Sequence, residues 1–136
     1  MPASLRFVLI LFALGLVAAF GSGFVQYCQS EARARDAAET MTSGRVDRGK
    51  KAIEAHGCGS CHAIPGIAIA RGRVGPSLRG VGRRSLIAGK LTNGPENLVL
   101  WIRYSQHVSP GTGMPEEPMS DADARDVAAY LLTLRR

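Results

Sequence analysis

The chain contains the pentapeptide Cys58-Gly59-Ser60-Cys61-His62, and the interpretation of the rest of the sequence starts from it. A Cys-x-x-Cys-His sequence is typical of covalent haem attachment, because two thiols at this spacing can add to the two vinyl groups of one porphyrin. The imidazole that follows them then stands where it can ligate the iron from one face. We therefore expect one haem c, attached through Cys58 and Cys61, with His62 as an axial ligand.

Other uses of this pair of thiols fit the sequence less well. A zinc half-site would need two more Cys or His ligands at suitable spacing, and the remaining thiol, Cys28, lies in a different kind of segment. A thioredoxin-like redox pair is expected near a βαβ pattern, which this chain lacks. A chance occurrence is the remaining alternative, so the motif has to be judged in its context.

The context resembles a class I cytochrome c over about residues 44–135. Besides the pentad, the segments that match this family in order and spacing are Gly49-Lys50-Lys51-Ala52-Ile53, Gly75-Pro76-Ser77-Leu78, Gly94-Pro95-Glu96-Asn97-Leu98, Trp101-Ile102-Arg103, Pro110-Gly111-Thr112-Gly113-Met114-Pro115 and Asp126-Val127-Ala128-Ala129-Tyr130-Leu131. The sequence is similar to cytochrome domains on membrane tethers or fused to subunit II of some haem–copper oxidases. The resemblance implies an all-α class, with a small cytochrome c fold of three to four helices around one covalently bound haem.

Sequence patterns predict helices before the pentad and in the second half of the domain. A short amphipathic helix is expected over residues 46–56. Pro95 suits the first position of a second helix, over residues 95–106, with Gly94 as its cap. Residues 63–94 are rich in Gly and Arg and show no sustained apolar period, so we expect mostly loop there, with a turn of helix.

The last helix of the domain has a clear start signal. The sequence Ser120-Asp121-Ala122-Asp123 resembles a capping box. The apolar stripe of this helix is formed by Val127, Tyr130, Leu131 and Leu134. In the resembled family the first and last helices cross closely, and Gly49 is the residue that would permit the contact, with Tyr130 as its neighbour.

The amino terminus is apolar and uncharged over residues 7–25, and Arg6 is the only charged side chain before it. This length is at the lower end of what spans a bilayer, and Arg6 would stay in the cytoplasm together with the terminal amine. We expect a retained single-pass anchor over residues 1–27 in the bacterial inner membrane, with the haem domain on the periplasmic side. A cleaved signal peptide is the alternative, since residues 19–23 include small side chains, and it would leave a soluble periplasmic protein.

Residues 28–44 are expected to link this anchor to a haem domain over residues 45–136. Alanines alternate there with charged residues, a composition that favours helix and predicts no burial. The linker would reach about 24 Å if it were helical at 1.5 Å per residue. Cys28 is expected to be a free thiol, because Gln26 and Tyr27 stand where a lipoprotein signal has small residues.

The iron needs a second axial ligand or an open site, and Met114 is the predicted ligand. It lies between Gly113 and Pro115 in a segment that its glycines and prolines keep from being helical, and Met–Pro is the usual ligand context of the resembled family. The other candidates fit less well and are His107, then Met119, with Met41 in the linker. A thioether stabilises ferrous iron and raises the reduction potential, and two filled axial positions exclude oxygen. We therefore predict electron transfer and no enzyme activity; a haem peroxidase or gas sensor would need an open iron site.

The resemblance implies roles for three further residues. Pro76 matches the proline whose carbonyl accepts a hydrogen bond from the axial imidazole and orients the ring. Trp101 matches the indole that donates to a haem propionate, although the sequence alone would place it in the core. Arg83 is expected to pair with a propionate, with Arg84 as its alternative, because buried propionates need donors.

The positive charge of the chain lies in the haem domain. The net charge is +6, and residues 45–136 contain 14 Lys and Arg against 8 Asp and Glu, whereas the preceding segment has 3 of each. A cationic face would steer docking to an acidic partner, although scattered surface charge or contact with anionic lipid are alternatives. Nucleic acid is not expected as a partner, because no binding motif appears and the domain is exported.

These features predict a membrane-tethered one-electron carrier of the respiratory chain. Its partners would be a quinol–cytochrome c oxidoreductase as electron donor and a terminal oxidase as acceptor, with no small-molecule substrate. The alternative is a permanent haem c subunit of a larger membrane oxidase or dehydrogenase. The chain lacks the Cys pair of a copper centre, so it is not expected to be an oxidase subunit II itself.

Overall fold

The computed structural model describes residues 2–136; Met1, the first residue of the predicted anchor, lies outside them. The helices in the described range are α1 (Ala3–Thr42), α2 (Val46–Ala55), α3 (Pro95–Arg103), α4 (Ser105–Val108) and α5 (Asp121–Thr133). Short 3₁₀ turns cover Cys58–Ser60 and Val81–Arg83. The strands β1 (Leu86–Ile87) and β2 (Leu91–Thr92) pair antiparallel. The all-α class is confirmed.

The chain divides into two compact units, and the first of them ends at Arg33. Every described residue of this unit from residue 2 to residue 33 is exposed. By length and composition, α1 is the one helix in residues 2–136 that is apolar and long enough to cross a membrane, a property that a signal sequence shares. An apolar helix without buried side chains fits membrane anchoring, because lipid can cover its surface.

The second unit, Ala34–Arg136, includes the last turns of α1. Ala38 and Thr42 are 1% and 0% exposed, so the prediction that residues 28–44 bury nothing is wrong. The Thr42 hydroxyl donates to the Ala38 carbonyl at 2.7 Å and accepts from the Gly44 amide at 3.1 Å, which ends the helix. The compact unit therefore begins before the predicted residue 45.

The reason for this burial lies in the spacing of small residues within α1. Ala34, Ala37, Ala38 and Met41 recur at the interval of one helix face, and all four line a pocket whose opposite side includes Gly82, Pro95 and Leu132. Alanine side chains let a helix approach its neighbour closely. The alanines that favour helix also lie on one face of it. In the sequence this face is hard to recognise, because charged residues stand between the alanines.

Helices α2 and α5 cross with their backbones in contact, as Gly49 predicts. A Cβ atom on Gly49 would overlap the Asp126 carbonyl oxygen and lie 3.1 Å from the Tyr130 Cβ. The Asp126 carboxylate, which is buried, accepts from the Arg45 amide at 2.6 Å and pairs with Arg48 at 2.9 Å. It thereby satisfies a free amide at the N-terminus of α2.

Helix α5 begins as its capping sequence predicts, since the Ser120 hydroxyl accepts from the Asp123 amide at 3.0 Å. Its predicted apolar stripe is buried at Val127, Tyr130 and Leu131, and Leu134 packs against the same core. This stripe and the contact at Gly49 place α5 at the centre of the domain.

In the middle of the domain the end of α3 differs from the prediction, whereas residues 63–94 are mostly loop with one helical turn, Val81–Arg83, as predicted. Helix α3 ends at Arg103 instead of residue 106, because Tyr104 leaves the helical region at φ −132° and ψ 43°, and α4 starts after it. Residues 63–94, predicted to be mostly loop, contain the β1–β2 pair. Its turn has Ala88 and Gly89 at positive φ, and strands of two residues leave no period in the sequence.

Candidate haem site

The pentad follows α2, and Gly57, in the left-handed backbone conformation, directly precedes it. Gly57 has φ 65°, a conformation that glycine adopts without strain, and the 3₁₀ turn Cys58–Ser60 follows directly. The His62 amide donates to the Cys58 carbonyl at 3.0 Å. Cys58, Cys61 and His62 are all half-buried. One tight turn therefore presents both thiols and the imidazole together.

The imidazole of His62 has a fixed orientation and tautomer. Its Nδ1 lies 2.8 Å from the Pro76 carbonyl oxygen. Because a carbonyl oxygen only accepts, Nδ1 carries the proton, and Nε2 keeps a lone pair for a metal. Gly75 lies against the ring, since a Cβ there would be 2.7 Å from Nδ1, and its amide donates to the Cys61 carbonyl at 2.8 Å.

The chain between His62 and Pro76 folds back onto the pentad through backbone contacts. Ala63 and Arg71 form an antiparallel bridge, and the Gly72 amide donates to the Gly59 carbonyl at 3.0 Å. A Cβ atom on Gly59 would lie 2.7 Å from the Cα of Ala70. Glycine is needed there because the two backbones touch.

Met114 lies in the irregular segment of residues 109–120, which α4 holds by side-chain hydrogen bonds. The buried Ser105 hydroxyl lies 2.8 Å from the Met114 carbonyl oxygen and 3.0 Å from that of Pro115. The Gln106 amide donates to the carbonyls of Thr112 and Met114, both at 2.8 Å. The Met114 side chain itself is half-buried.

The alternative axial ligands have different surroundings. The exposed His107 has its Nδ1 2.7 Å from a carboxylate oxygen of Glu116, two residues after Met114. Met119 is 5% exposed and belongs to the hydrophobic core, whereas Met41 is exposed on α1. Met114 stays the predicted axial ligand.

The predicted propionate donors differ in their surroundings. Trp101 is half-buried on α3 and packs against the core. The Arg84 guanidinium donates to the carbonyls of Ser77 and Arg79 at 2.5 and 3.2 Å, in the segment that follows Pro76. Arg83 and Arg84 are both exposed, and Arg83 lies in the neighbouring 3₁₀ turn. Arg84 is thus the one of the two whose side chain is bonded to the segment after Pro76.

Sequence reasoning missed three polar contacts that fix this region. The Tyr130 hydroxyl donates to the Pro65 carbonyl at 2.7 Å, which ties α5 to the chain after the pentad. Ser105 and Gln106 hold the Met114 segment as described above. All three side chains bind backbone carbonyls that are distant along the chain, and a backbone carbonyl gives no signal in a sequence.

The residues present fit the group that the pentad predicts. One turn presents Cys58 and Cys61 together, and the hydrogen bond at Nδ1 leaves the Nε2 lone pair of His62 for a metal.

The pentad and the orientation of His62 define a haem-binding domain of the c type. The family model of cytochrome c matches residues 46–135, so the chain belongs to the cytochrome c family. It accordingly binds haem c covalently, through Cys58 and Cys61, and its domain has an electron-transfer fold.

A curated relative supports the resemblance to oxidase-linked cytochrome domains. The "Cytochrome c oxidase subunit 2" of Alkalihalophilus pseudofirmus is 38% identical over 98 residues. The match covers 71% of this chain and 28% of the relative, so the chain spans less than a third of that protein's length.

Proposed function

We propose that this protein is a membrane-anchored one-electron carrier that takes electrons from a quinol-oxidising complex and delivers them to a terminal oxidase. Haem supplies the one-electron couple of its iron when bound. The observation that supports this function best is that two separately held segments offer a nitrogen and a sulfur ligand. If His62 and Met114 both held the haem iron, oxygen or a substrate would have no place to bind it, so we propose no enzyme activity.

His62 would ligate through Nε2, because the Pro76 carbonyl keeps the proton on Nδ1. This hydrogen bond fixes the ring plane and makes the imidazole a better donor to a metal. Met114 would supply a soft, neutral thioether from the other segment, which raises the reduction potential relative to a second imidazole. Trp101 and Arg84 would donate to the propionates, with Arg83 as the less favoured arginine.

The charge of the domain and its oxidase relative support the proposed direction of electron transfer. The excess of Lys and Arg in residues 45–136 suits an acidic acceptor, such as the copper-bearing subunit of an oxidase. The relative's name places a similar domain within an oxidase. The periplasmic side of the bacterial inner membrane follows from Arg6 before the apolar segment, because positive charge is retained in the cytoplasm.

A second function, that of a permanent haem c subunit, is favoured by the packing of Ala38 and Thr42. Chain that is packed into the haem domain is not available as a free tether, and a shorter tether limits the reach of the domain. Purification of the full chain in mild detergent distinguishes the two functions. Stoichiometric co-purification with other redox subunits would favour the subunit, and isolation of the chain alone would favour the carrier.

The ferric absorption spectrum tests the proposed ligands. Wild type should show the weak band near the red edge of the spectrum that Fe–S ligation produces, and Met114→Ala should lose it. Met119→Leu is the matched control, because its side chain belongs to the core, and it should keep the band. An unaltered ferric spectrum in Met114→Ala would show that the ligand assignment is wrong.

A further inference from the structure

Asn93 holds the short segment that carries the two candidate propionate arginines. Its side-chain amide donates to the Val81 carbonyl at 2.7 Å and to the Arg84 carbonyl at 2.8 Å. Its backbone amide donates to the Ser85 carbonyl at 2.9 Å. One residue thus binds carbonyls along residues 81–85, which fixes the course of the backbone on both sides of Arg84.

The end of α5 also holds this segment. The Gly82 amide donates to the Leu134 carbonyl at 3.0 Å, and a Cβ atom on Gly82 would overlap the Leu132 carbonyl oxygen. The two backbones are therefore in contact, and Gly82 has little freedom to shift. Between this contact and Asn93, the Cα atom of Arg84 has a defined position.

The Arg84 guanidinium is oriented but keeps donors for another group. Its bonds to the Ser77 and Arg79 carbonyls both come from Nη2. A guanidinium also carries N–H groups on Nε and Nη1, and within residues 2–136 these are left without an acceptor. Ser77 follows Pro76, whose carbonyl orients His62. Arg84 therefore offers charged donors next to the chain that holds the predicted axial imidazole.

The side-chain oxygen of Asn93 has a cost for the folded protein. Oδ1 is buried and has no hydrogen-bond partner in the described residues 2–136. The two carbonyls require that Nδ2 faces them, so the amide cannot turn to satisfy its oxygen as well. A buried acceptor without a partner lowers the stability of the folded state. An asparagine at this position is therefore better explained by the segment it holds than by the stability it adds.

We propose that Asn93 is a positioning residue for the haem, because it holds the backbone at Arg84 so that the guanidinium can donate to a propionate. The inference rests on the proposed function, in which Arg84 is the propionate donor, and it adds the residue that places this arginine. A positive charge held near the iron favours the ferrous state and raises the reduction potential. Asn93 acts on that potential only through Arg84.

The test is a redox titration of the haem-loaded full-length protein in detergent against a reference dye. Asn93→Ala frees the carbonyls of Val81 and Arg84, so the guanidinium spends less time near the haem. We expect the equilibrium constant for reduction of the protein to fall by about threefold, the effect of one weakened charge contact at the surface. Asn97→Ala is the matched control and should leave this constant unchanged, because the Asn97 amide donates to the Thr92 carbonyl at 2.8 Å.

A double-mutant cycle shows whether Asn93 acts through Arg84. Arg84→Met should lower the same equilibrium constant at least as much as Asn93→Ala does, because it removes the charge. In the Arg84→Met background, Asn93→Ala should change the constant no further, because the positioned group is absent. Guanidinium unfolding of the same variants measures the structural role of Asn93, and its loss of stability should appear in both backgrounds.

A second variant covers the case in which Asn93→Ala does not load haem. Asn93→Leu is close to asparagine in volume and removes the same donors without leaving a cavity. It should lower the equilibrium constant for reduction to the same extent as Asn93→Ala, and again only when Arg84 is present.

The outcomes separate this inference from the proposed function. If Arg84→Met leaves the equilibrium constant at its wild-type value, the propionate assignment of Arg84 fails and the inference fails with it. If Arg84→Met lowers the constant and neither substitution of Asn93 does, the positioning inference alone is overturned. An equal fall from Asn93→Ala with and without Arg84, or the same fall from Asn97→Ala, would show a general loosening of the domain and would also overturn it.

Discussion

The two segments that carry the proposed axial ligands are held in place by different means. On the His62 side the chain is bonded backbone to backbone, with the Gly75 amide on the Cys61 carbonyl and the Leu78 amide on the Ala63 carbonyl, at 2.8 and 2.9 Å. The Met114 segment is held mainly by the side chains of Ser105 and Gln106.

The difference predicts opposite sensitivities to mutation. Backbone contacts survive the loss of a side chain, but they leave no space for added atoms. A segment held by side chains has open space around it, but it depends on a few polar groups. The His62 side should therefore fail when a residue is enlarged, and the Met114 side should fail when a residue is shortened.

The largest effect is expected for Gly75→Ala. The added methyl group would collide with the His62 ring, so we expect a loss of about 3 kcal/mol in the free energy of unfolding and less haem-loaded protein. The matched change Gly113→Ala, beside Met114, meets no atom within 4 Å and should stay within about 0.5 kcal/mol of wild type. Guanidinium unfolding of the haem-loaded chain in detergent measures both. Equal losses for the two variants would contradict the distinction between the segments.

On the Met114 side, shortening a side chain should be the harmful change, and Ser105→Ala tests this. It removes the hydroxyl bound to the Met114 and Pro115 carbonyls at a fully buried position. Gln106 still donates to the Met114 carbonyl, so the loss at the Pro115 carbonyl should cost about 1 kcal/mol. The ferric band near the red edge should also weaken, because the ligand segment is less ordered. Ser85→Ala, at an exposed serine, is the control and should change neither quantity. A normal stability and spectrum in Ser105→Ala would show that the segment is held by other contacts.

The same distinction explains which parts of the structure could be predicted from the sequence. The pentad and the Ser120 cap each combine a residue type with a local spacing that few other structures require. The resemblance to class I cytochromes c implied the all-α class and the contact between α2 and α5 at Gly49, and the capping sequence predicted the start of α5. Ser105 could not be predicted, because its partners are backbone carbonyls nine and ten residues away.

The end of α1 shows a second limit of sequence reasoning. Ala38 and Thr42 are buried, and the spacing of alanines on one face of α1 does not by itself show that another part of the chain covers that face. The alternation of charge and alanine was correctly interpreted as helix, but the helix was wrongly expected to bury nothing. Spacing alone also did not show that Tyr104 separates α3 from α4.

The end of α1 at Thr42 is joined to α5 by a backbone contact and by side-chain contacts. We expect a smaller effect on stability there, and one that depends on pH. A Cβ on Gly44 would overlap the Arg125 carbonyl, and the Arg125 guanidinium donates to the Thr42 carbonyl and pairs with Glu96 and Asp121. Hydrogen bonding to Arg125 lowers the pKa of both carboxyls from their ordinary values of 4.5 and 3.8.

Because these two pKa values are lower in the folded protein, the stabilisation is present above the ordinary values and is lost as the pH falls through the folded ones. Arg125→Met should therefore reduce the loss of stability between about pH 5 and pH 3. Urea unfolding at a series of pH values measures this, with Arg79→Met, an exposed arginine, as the control. If the acid dependence of Arg125→Met equals that of wild type, the charged contacts do not contribute to the junction.

The smallest effect is expected for His107, the alternative axial ligand, which lies beside the Met114 segment. Its contact with Glu116 joins two groups at the surface, with 79% and 36% of their side chains exposed, and such pairs contribute about 0–1 kcal/mol. His107→Ala should therefore leave the free energy of unfolding nearly unchanged and the ferric spectrum intact. A large spectral change in this variant, with Met114→Ala silent, would exchange the ligand assignment of the two residues. The Met114 segment would then serve only to cover the site, and the difference between the two segments would lose its functional meaning.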